Sequence, residues 1–135
     1  MKSVIDIEDD VFKLVYKSAL SRAVTGTIYK GRKRPSASTK EDITIKLLSV
    51  STEEDEQIAF VNVNIYVADK PQGNSYDEDI VRIRSLMKMA EDILHRGGKG
   101  YDFRTTVASE GIYEVEGSVS PEHFINIKVK YQFNS

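Results

Sequence analysis

Two long segments of this chain alternate between apolar residues and mostly polar ones, and this alternation constrains the fold more than any other feature. In the first segment, one series is apolar and the opposite series is mixed: Ala59, Val61, Val63, Ile65 and Val67 against Phe60, Asn62, Asn64 and Tyr66. The second repeats the pattern: Ile125, Ile127, Val129, Tyr131 and Phe133 against Asn126, Lys128, Lys130 and Gln132. Because successive strand residues point to opposite faces, this period of two predicts a sheet with one buried and one wetter face.

Two further segments have the residue spacing of amphipathic helices, and we expect them to cover the buried face of the sheet. The first predicted helix spans about residues 8–23, with Asp6 or Asp9 available to cap it. The second opens at Ser75, which matches a capping box together with Glu78, and stops at residues 96–98, where two glycines follow an arginine. Its wide apolar stripe predicts deep packing on the sheet.

Shorter strand-like segments complete the predicted order. They lie at about residues 27–29, 43–48, 103–108 and 112–119, and the last two are joined by a predicted hairpin at residues 109–111. The predicted fold is therefore α/β (α+β), in the order α-β-β-β-α-β-β-β. We expect a mixed, mostly antiparallel sheet with two helices packed on one face. Because 135 residues are enough for one core and too few for two, a single domain spanning residues 1–135 is predicted.

Composition excludes several classes of protein. The chain has no cysteine, so disulfides and thiolate metal sites are excluded. A net charge of −2 is unlike the strongly basic balance of general nucleic-acid binders. No apolar run approaches the roughly 18–20 residues of a membrane span, and the beginning of the sequence turns acidic at once, unlike a signal peptide. We expect a soluble protein of a reducing compartment with no membrane partner.

Residues that could carry catalysis or hold a metal are sparse and scattered. Neither His95 nor His123 has a second ligand at metal-site spacing, and the serines lack the glycine pattern of a nucleophile elbow. The glycines of residues 97–100 follow a helix instead of preceding one, which favours a helix stop over a phosphate-binding loop. We therefore predict that the protein is not an enzyme and needs neither a metal nor an organic cofactor.

Two charged loops are the candidate interaction sites. Residues 30–40 combine turn-forming residues with five cations, which predicts an exposed, mobile loop: Lys30, Arg32, Lys33, Arg34 and Lys40. An acidic run lacks the alternating ligand spacing of a calcium loop and predicts a solvated connection: Glu53, Glu54, Asp55 and Glu56.

Three interpretations of the basic loop stay open. It is a solubilising surface, it contacts the phosphates of nucleic acid or an acidic protein, or it meets the acidic loop of a neighbouring copy in a ring. No aromatic residue lies between its cations, so base stacking is not indicated.

Several short strings carry a resemblance to known proteins: Gly26-Thr27-Ile28-Tyr29, Arg34-Pro35, Ser38, Glu41-Asp42-Ile43 and Val63-Asn64-Ile65-Tyr66-Val67. They are similar to strings in small prophage-encoded proteins. The order of predicted elements over nearly the whole chain resembles that of the tail terminator and tail completion proteins of long-tailed phages. Those are small α/β proteins that form a ring at the head-proximal end of the tail tube.

The resemblance implies a structural virion assembly protein of the neck or tail, which self-associates into a ring and caps the tail tube. Its partners are then other copies of itself, the tube and the head-completion proteins. Its location is the cytoplasm of a bacterial host during assembly and the virion afterwards. The resemblance carries over no catalytic residue. The alternative is a small binding module whose loop at residues 30–40 contacts nucleic acid or an acidic protein partner.

Overall fold

The structure is a computed structural model and describes residues 2–53, 56–95 and 100–134. Three helices and seven strands are formed by these residues. In chain order they are α1 (Val4–Tyr16), α2 (Ala19–Ala23), β1 (Ile28–Lys30), β2 (Ile43–Glu53), β3 (Glu56–Ala68), β4 (Lys70–Gln72), β5 (Ser75–Asp77), α3 (Ile80–Leu94), β6 (Phe103–Glu114) and β7 (Glu122–Asn134).

Five of the strands form one mixed sheet in the order β1-β2-β3-β7-β6. The β1–β2 pair is parallel, and the other three pairs are antiparallel. Strands β4 and β5 form a separate small hairpin that leads into α3. The fold class is therefore α+β, as the order of sequence patterns predicts.

Helices α1 and α3 pack on one face of the sheet, α2 packs against both of them, and no described helix covers the opposite face, here called the open face. The alternating series of β3 and β7 supplies much of the buried face, and Val61, Val63 and Ile127 are completely inaccessible to solvent. The helices contribute Ile7, Leu86 and other large side chains to the same core. The predicted register of the long strands is confirmed. Among the described residues, no helix is long and apolar enough to cross a membrane.

The boundaries of the helices differ from the predictions. The first predicted helix is two, because the chain turns at Lys17 and Ser18 between α1 and α2. Helix α1 begins earlier than predicted, after Ser3, whose hydroxyl and backbone N–H exchange hydrogen bonds with Asp6 in a capping box.

The predicted capping box at Ser75 is wrong, since this residue lies in β5 and its hydroxyl donates to the Gln72 carbonyl. The cap of α3 is Asp79, whose carboxylate accepts the backbone N–H of Arg82.

The predicted hairpin at residues 109–111 is also wrong. Strand β6 runs through this segment and stays paired with β7, with a bulge between Val107 and Ser109. The Tyr113 side chain packs closely against Gly111, because a Cβ atom at residue 111 would lie 2.6 Å from the Tyr113 hydroxyl oxygen. The true turn follows β6 and contains Gly117, at a φ of 71°. The last three predicted strands are therefore two.

Candidate interaction surface

The open face is organised in rows of side chains that cross the strands. One row is aromatic and follows the pairing of Tyr66 with Phe124 and of Phe124 with Tyr113. The rings of each pair are tilted against each other, with centroids 5.6 Å and 5.5 Å apart. Tyr113 is the most accessible of the three, at 53% exposure. The face therefore offers aromatic surface to a partner at this end.

The next row consists of amides. The Asn126 side-chain amide donates to the side-chain oxygens of Asn62, at 3.1 Å, and Asn64, at 2.7 Å. Within the described part of the chain, the amide groups of Asn62 and Asn64 have no hydrogen-bond partner of their own. They lie on a half-buried surface and can donate to a ligand that lies across the sheet.

Cations occupy the rows that follow. Lys46 and Lys128 lie on either side of Asn62, and Lys130 and Arg104 follow on β7 and β6. The Lys128 ammonium lies 5.0 Å from the centroid of the Phe60 ring. The described strand carboxylates of this face are Glu56 and Glu122, at its two ends, and Glu122 is paired with Arg34. Positive charge is thus concentrated on one face of a chain whose net charge is −2.

The basic loop at residues 30–40 is anchored to the end of this face by Arg34. The Arg34 side chain is 8% exposed and lies between two carboxylates, with Nε 2.8 Å from Asp42 Oδ2 and Nη1 2.9 Å from Glu122 Oε1. Its Nη2 donates to the carbonyls of Ser38 and Lys40, and its guanidinium lies 4.2 Å from the Tyr66 ring centroid. The expectation of an exposed loop therefore fails at Arg34, because its side chain is used internally.

Both carboxylates that bind Arg34 are further held by serine hydroxyls. Ser38 donates to Asp42 and Ser118 donates to Glu122. Burial alone would raise the pKa of Asp42, but the hydrogen bond from Ser38, the Arg34 guanidinium and the backbone N–H of Thr27 together hold that pKa below its usual range. In the sequence, a serine precedes each of these acids by four residues, and this spacing is not identified from sequence alone as a sign of the cluster.

The other cations of the basic loop lie in three different environments. Lys30 turns to the helical side, where it pairs with Asp9 of α1. The Arg32 guanidinium lies 5.0 Å from the Tyr29 ring centroid, and the side chains of Arg32, Lys33 and Lys40 are exposed. These last three cations have no carboxylate partner among the described residues and are available to a binding partner.

A cleft of about 550 Å³ opens between the basic loop and the turn at residues 115–118. Its floor includes Tyr66 and Asn64 of the open face, and its walls carry Arg32, Lys33 and Lys46. Two carboxylates also line the cleft, Glu116 and Glu122, and Glu122 is paired with Arg34. The cleft and the open face therefore form a single continuous surface of mainly positive charge.

The predicted acidic loop lies at the other end of the sheet, where β2 ends at Glu53 and β3 begins at Glu56. Glu54 and Asp55 lie outside the described residues, and the only described acidic side chain of the run is that of Glu56. It accepts a hydrogen bond from Gln132 Nε2 at 2.9 Å. The described residues of the acidic run therefore lie at the opposite end of the sheet from the basic loop.

Two titratable clusters lie away from the open face. His123 Nδ1 is 2.6 Å from Asp69 Oδ1, so this histidine has the structural partner that sequence spacing did not show. On the helical side, the pKa of Glu110 is raised to about 6, first by desolvation and then by hydrogen bonding and repulsion with Glu91. Among the described residues, no group of three or more metal-ligating side chains is close enough to hold an ion.

A third cluster secures the beginning of the chain. The Lys2 ammonium lies 2.7 Å from a carboxylate oxygen of both Asp10 and Asp102, and 4.8 Å from the centroid of the Phe133 ring. The Gln57 side chain exchanges two hydrogen bonds with the Lys2 backbone. This cluster is therefore internal and closes the far end of the core.

No protein-family model matches this chain, and no curated protein is significantly similar to it in sequence.

Proposed function

We propose that the protein is a structural assembly subunit of a phage or prophage neck or tail, which associates with copies of itself into a ring that caps the tail tube. The order of elements and the short strings at residues 26–29, 34–43 and 63–67 motivate the proposal. The observation that carries it is the separation of opposite charges to the two ends of one sheet.

The two charged ends are far apart within one subunit. The cleft with Arg32 and Lys33 lies where β2 begins, and the Glu53–Glu56 connection lies where β2 ends. With about 3.4 Å per strand residue, the ten steps from Ile43 to Glu53 separate the ends by about 34 Å. Unlike ends attract between two copies and like ends repel, which favours head-to-tail contacts. Such contacts close into a ring when the rotation between neighbours allows it.

Sedimentation velocity at low and high salt tests this proposal. We expect self-association of the wild type at about 50 mM NaCl and its weakening at about 500 mM, because exposed charges are screened more strongly at the higher salt. The double substitution Arg32→Ser/Lys33→Ser is expected to abolish association. Arg34 is left intact in this variant because its replacement would damage the fold.

The matched control is Lys13→Ser/Lys88→Ser, which removes two exposed lysines from the helical side. It is expected to associate like the wild type. Electron microscopy of the associated fraction then distinguishes closed rings from open filaments. Association that is unchanged both by salt and by the Arg32/Lys33 substitutions would refute the head-to-tail contact.

The second candidate function is a binding module for nucleic acid or for an acidic protein. The observation that favours it is the cluster of Lys46, Lys128, Lys130 and Arg104 on the open face. Lys46 and Lys128 lie in the middle of the sheet, and Lys130 and Arg104 lie nearer its acidic end. These cations are therefore not part of the basic end that the head-to-tail contact uses.

A further inference from the structure

We propose that the open face binds single-stranded nucleic acid, an activity that goes beyond the assembly role proposed above. The sheet places three kinds of side chain side by side: cations, aromatic rings and amides. Phosphates, base rings and base edges each require a different chemistry, and the open face supplies all three.

The phosphate contacts are assigned to the four cations of the strands. Lys46, Lys128, Lys130 and Arg104 lie on β2, β7 and β6, so they spread across about 15 Å of the sheet at roughly 4.8 Å per strand spacing. Phosphate contacts require only positive charge and reach, and flexible lysines satisfy both. The path continues into the cleft, where Arg32 and Lys33 extend the positive surface.

The base contacts are assigned to the aromatic and amide rows. Tyr113 offers the most accessible ring, and the adjacent Phe124 and Tyr66 rings extend the apolar surface. Stacking on such rings tolerates any base sequence, because every base has a π face. The amide groups of Asn62 and Asn64 can donate to the acceptor atoms of base edges.

This combination favours a single strand over a duplex or an acidic polypeptide. In a duplex the bases are stacked on one another, so rings on an open sheet have nothing to stack against. An acidic polypeptide would use the lysines but has no flat rings to match the aromatic row. The rows also follow a regular order along β7, where Phe124, Asn126 and Lys128 succeed one another at intervals of two residues, so the amide of Asn126 lies between the rings and the cations.

The experiment is a titration of fluorescein-labelled dT12 followed by fluorescence anisotropy at 50 and 200 mM NaCl. Four phosphate contacts predict a slope of about −2.8 in log K against log salt, which is about a 50-fold loss of affinity over this range. Lys128→Gln/Lys130→Gln is expected to halve the slope to about −1.4. The control Lys13→Gln/Lys88→Gln changes the net charge equally and is expected to leave the slope unchanged.

A second variant tests the stacking contact. Tyr113→Ala removes an exposed ring, and it is expected to weaken dT12 binding about fivefold or more while leaving the salt slope unchanged. Circular dichroism and the melting temperature of each variant establish that it is folded.

Four outcomes overturn the proposal. Two come from the titrations: no binding of dT12 at 50 mM NaCl, or a loss of affinity in the helical-side control equal to that in Lys128→Gln/Lys130→Gln. Two come from other ligands: equal or tighter binding of the matched duplex, or competition by poly-L-glutamate as effective as that by unlabelled dT12 at equal charge. The last outcome would assign the face to an acidic protein. None of them bears on ring formation, which depends on the Arg32/Lys33 variant and is measured without nucleic acid.

Discussion

Replacement of Arg34 by methionine is the sharpest test of how the basic loop is held. The guanidinium neutralises Asp42 and Glu122, which are 1% and 4% exposed. Removing the charge leaves both carboxylates buried without a neutralising cation. Breaking a buried ion pair in this way costs about 3–5 kcal/mol. At about 3–4 °C per kcal/mol for a chain of this size, the melting temperature is expected to fall by roughly 10–20 °C.

The stability difference between the wild type and Arg34→Met should become smaller as pH falls. In the wild type, the depressed pKa of Asp42 means that its contribution to stability is present above its unfolded pKa and is lost as pH falls through its folded pKa. In Arg34→Met, Asp42 keeps its hydrogen bonds from Ser38 and Thr27 but loses the guanidinium, so its pKa rises relative to the wild type and it contributes less to stability at neutral pH. Thermal unfolding at pH 7.5 and pH 4 is therefore expected to show a gap between the two proteins that narrows in acid.

Two further variants separate the ion cluster from a general effect of charge. Arg32→Met makes the same change at an exposed position two residues away and is expected to shift the melting temperature by less than about 2 °C. Arg34→Met/Asp42→Asn/Glu122→Gln removes all three charges together and is expected to recover part of the lost stability. A melting temperature of Arg34→Met within about 3 °C of the wild type would show that Arg34 is not needed to neutralise the two buried carboxylates.

Three other substitutions test the fold and the helical side. Val63→Asp puts an unpaired charge in a fully buried site and is expected to cost more than about 4 kcal/mol, whereas Asn62→Asp beside it is tolerated, as urea unfolding of both will show. In the wild type, the pKa of Glu110 is raised to about 6, so the stability that this residue contributes is lost as pH rises from about 4.5 to 6. Glu110→Gln mimics the protonated acid and should not show this loss. Because the group is exposed, a gain of only about 1–2 °C is expected at pH 7.5 and none at pH 4, in thermal unfolding. Gly26→Ala would place a Cβ atom 2.6 Å from the Glu41 carbonyl oxygen, and calorimetry is expected to show a loss of about 1–3 kcal/mol.

The parts of the fold that sequence predicts well are those that depend on local pattern. The period of two in β3 and β7 places Val63 and Ile127 in the core, because pleating alone decides which face a side chain takes. The failures occur where pairing overrides local propensity. Residues 109–111 have turn-forming composition, yet β7 is long enough to pair with the whole segment, so the chain continues as a bulged strand.

The candidate surface is less predictable because it depends on residues that are distant in sequence. Alternation alone places Lys128 and Lys130 on the wetter face. The sequence does not show that Arg34 lies beside Glu122, 88 residues away, or that Tyr113 shares a face with Tyr66. No aromatic residue lies between the cations of the basic loop in sequence, but the fold places the Tyr66 ring against Arg34 and the Tyr29 ring against Arg32.

The anchoring of the basic loop by Arg34 also lowers the conformational entropy that we expect the loop to lose when two copies associate. A loop of residues 31–40 that ordered only on contact would lose backbone entropy at that moment, at about 1–2 kcal/mol per residue. Arg34 divides this loop near its middle and fixes it through two carboxylates and two backbone carbonyls. Part of the ordering cost is therefore met during folding, and the cleft exists before a partner arrives. Preorganisation of this kind strengthens binding without adding contacts. A loosened loop in Arg34→Lys, which keeps the charge but loses the planar fork, should therefore weaken any contact made through Arg32 and Lys33 even though both residues remain.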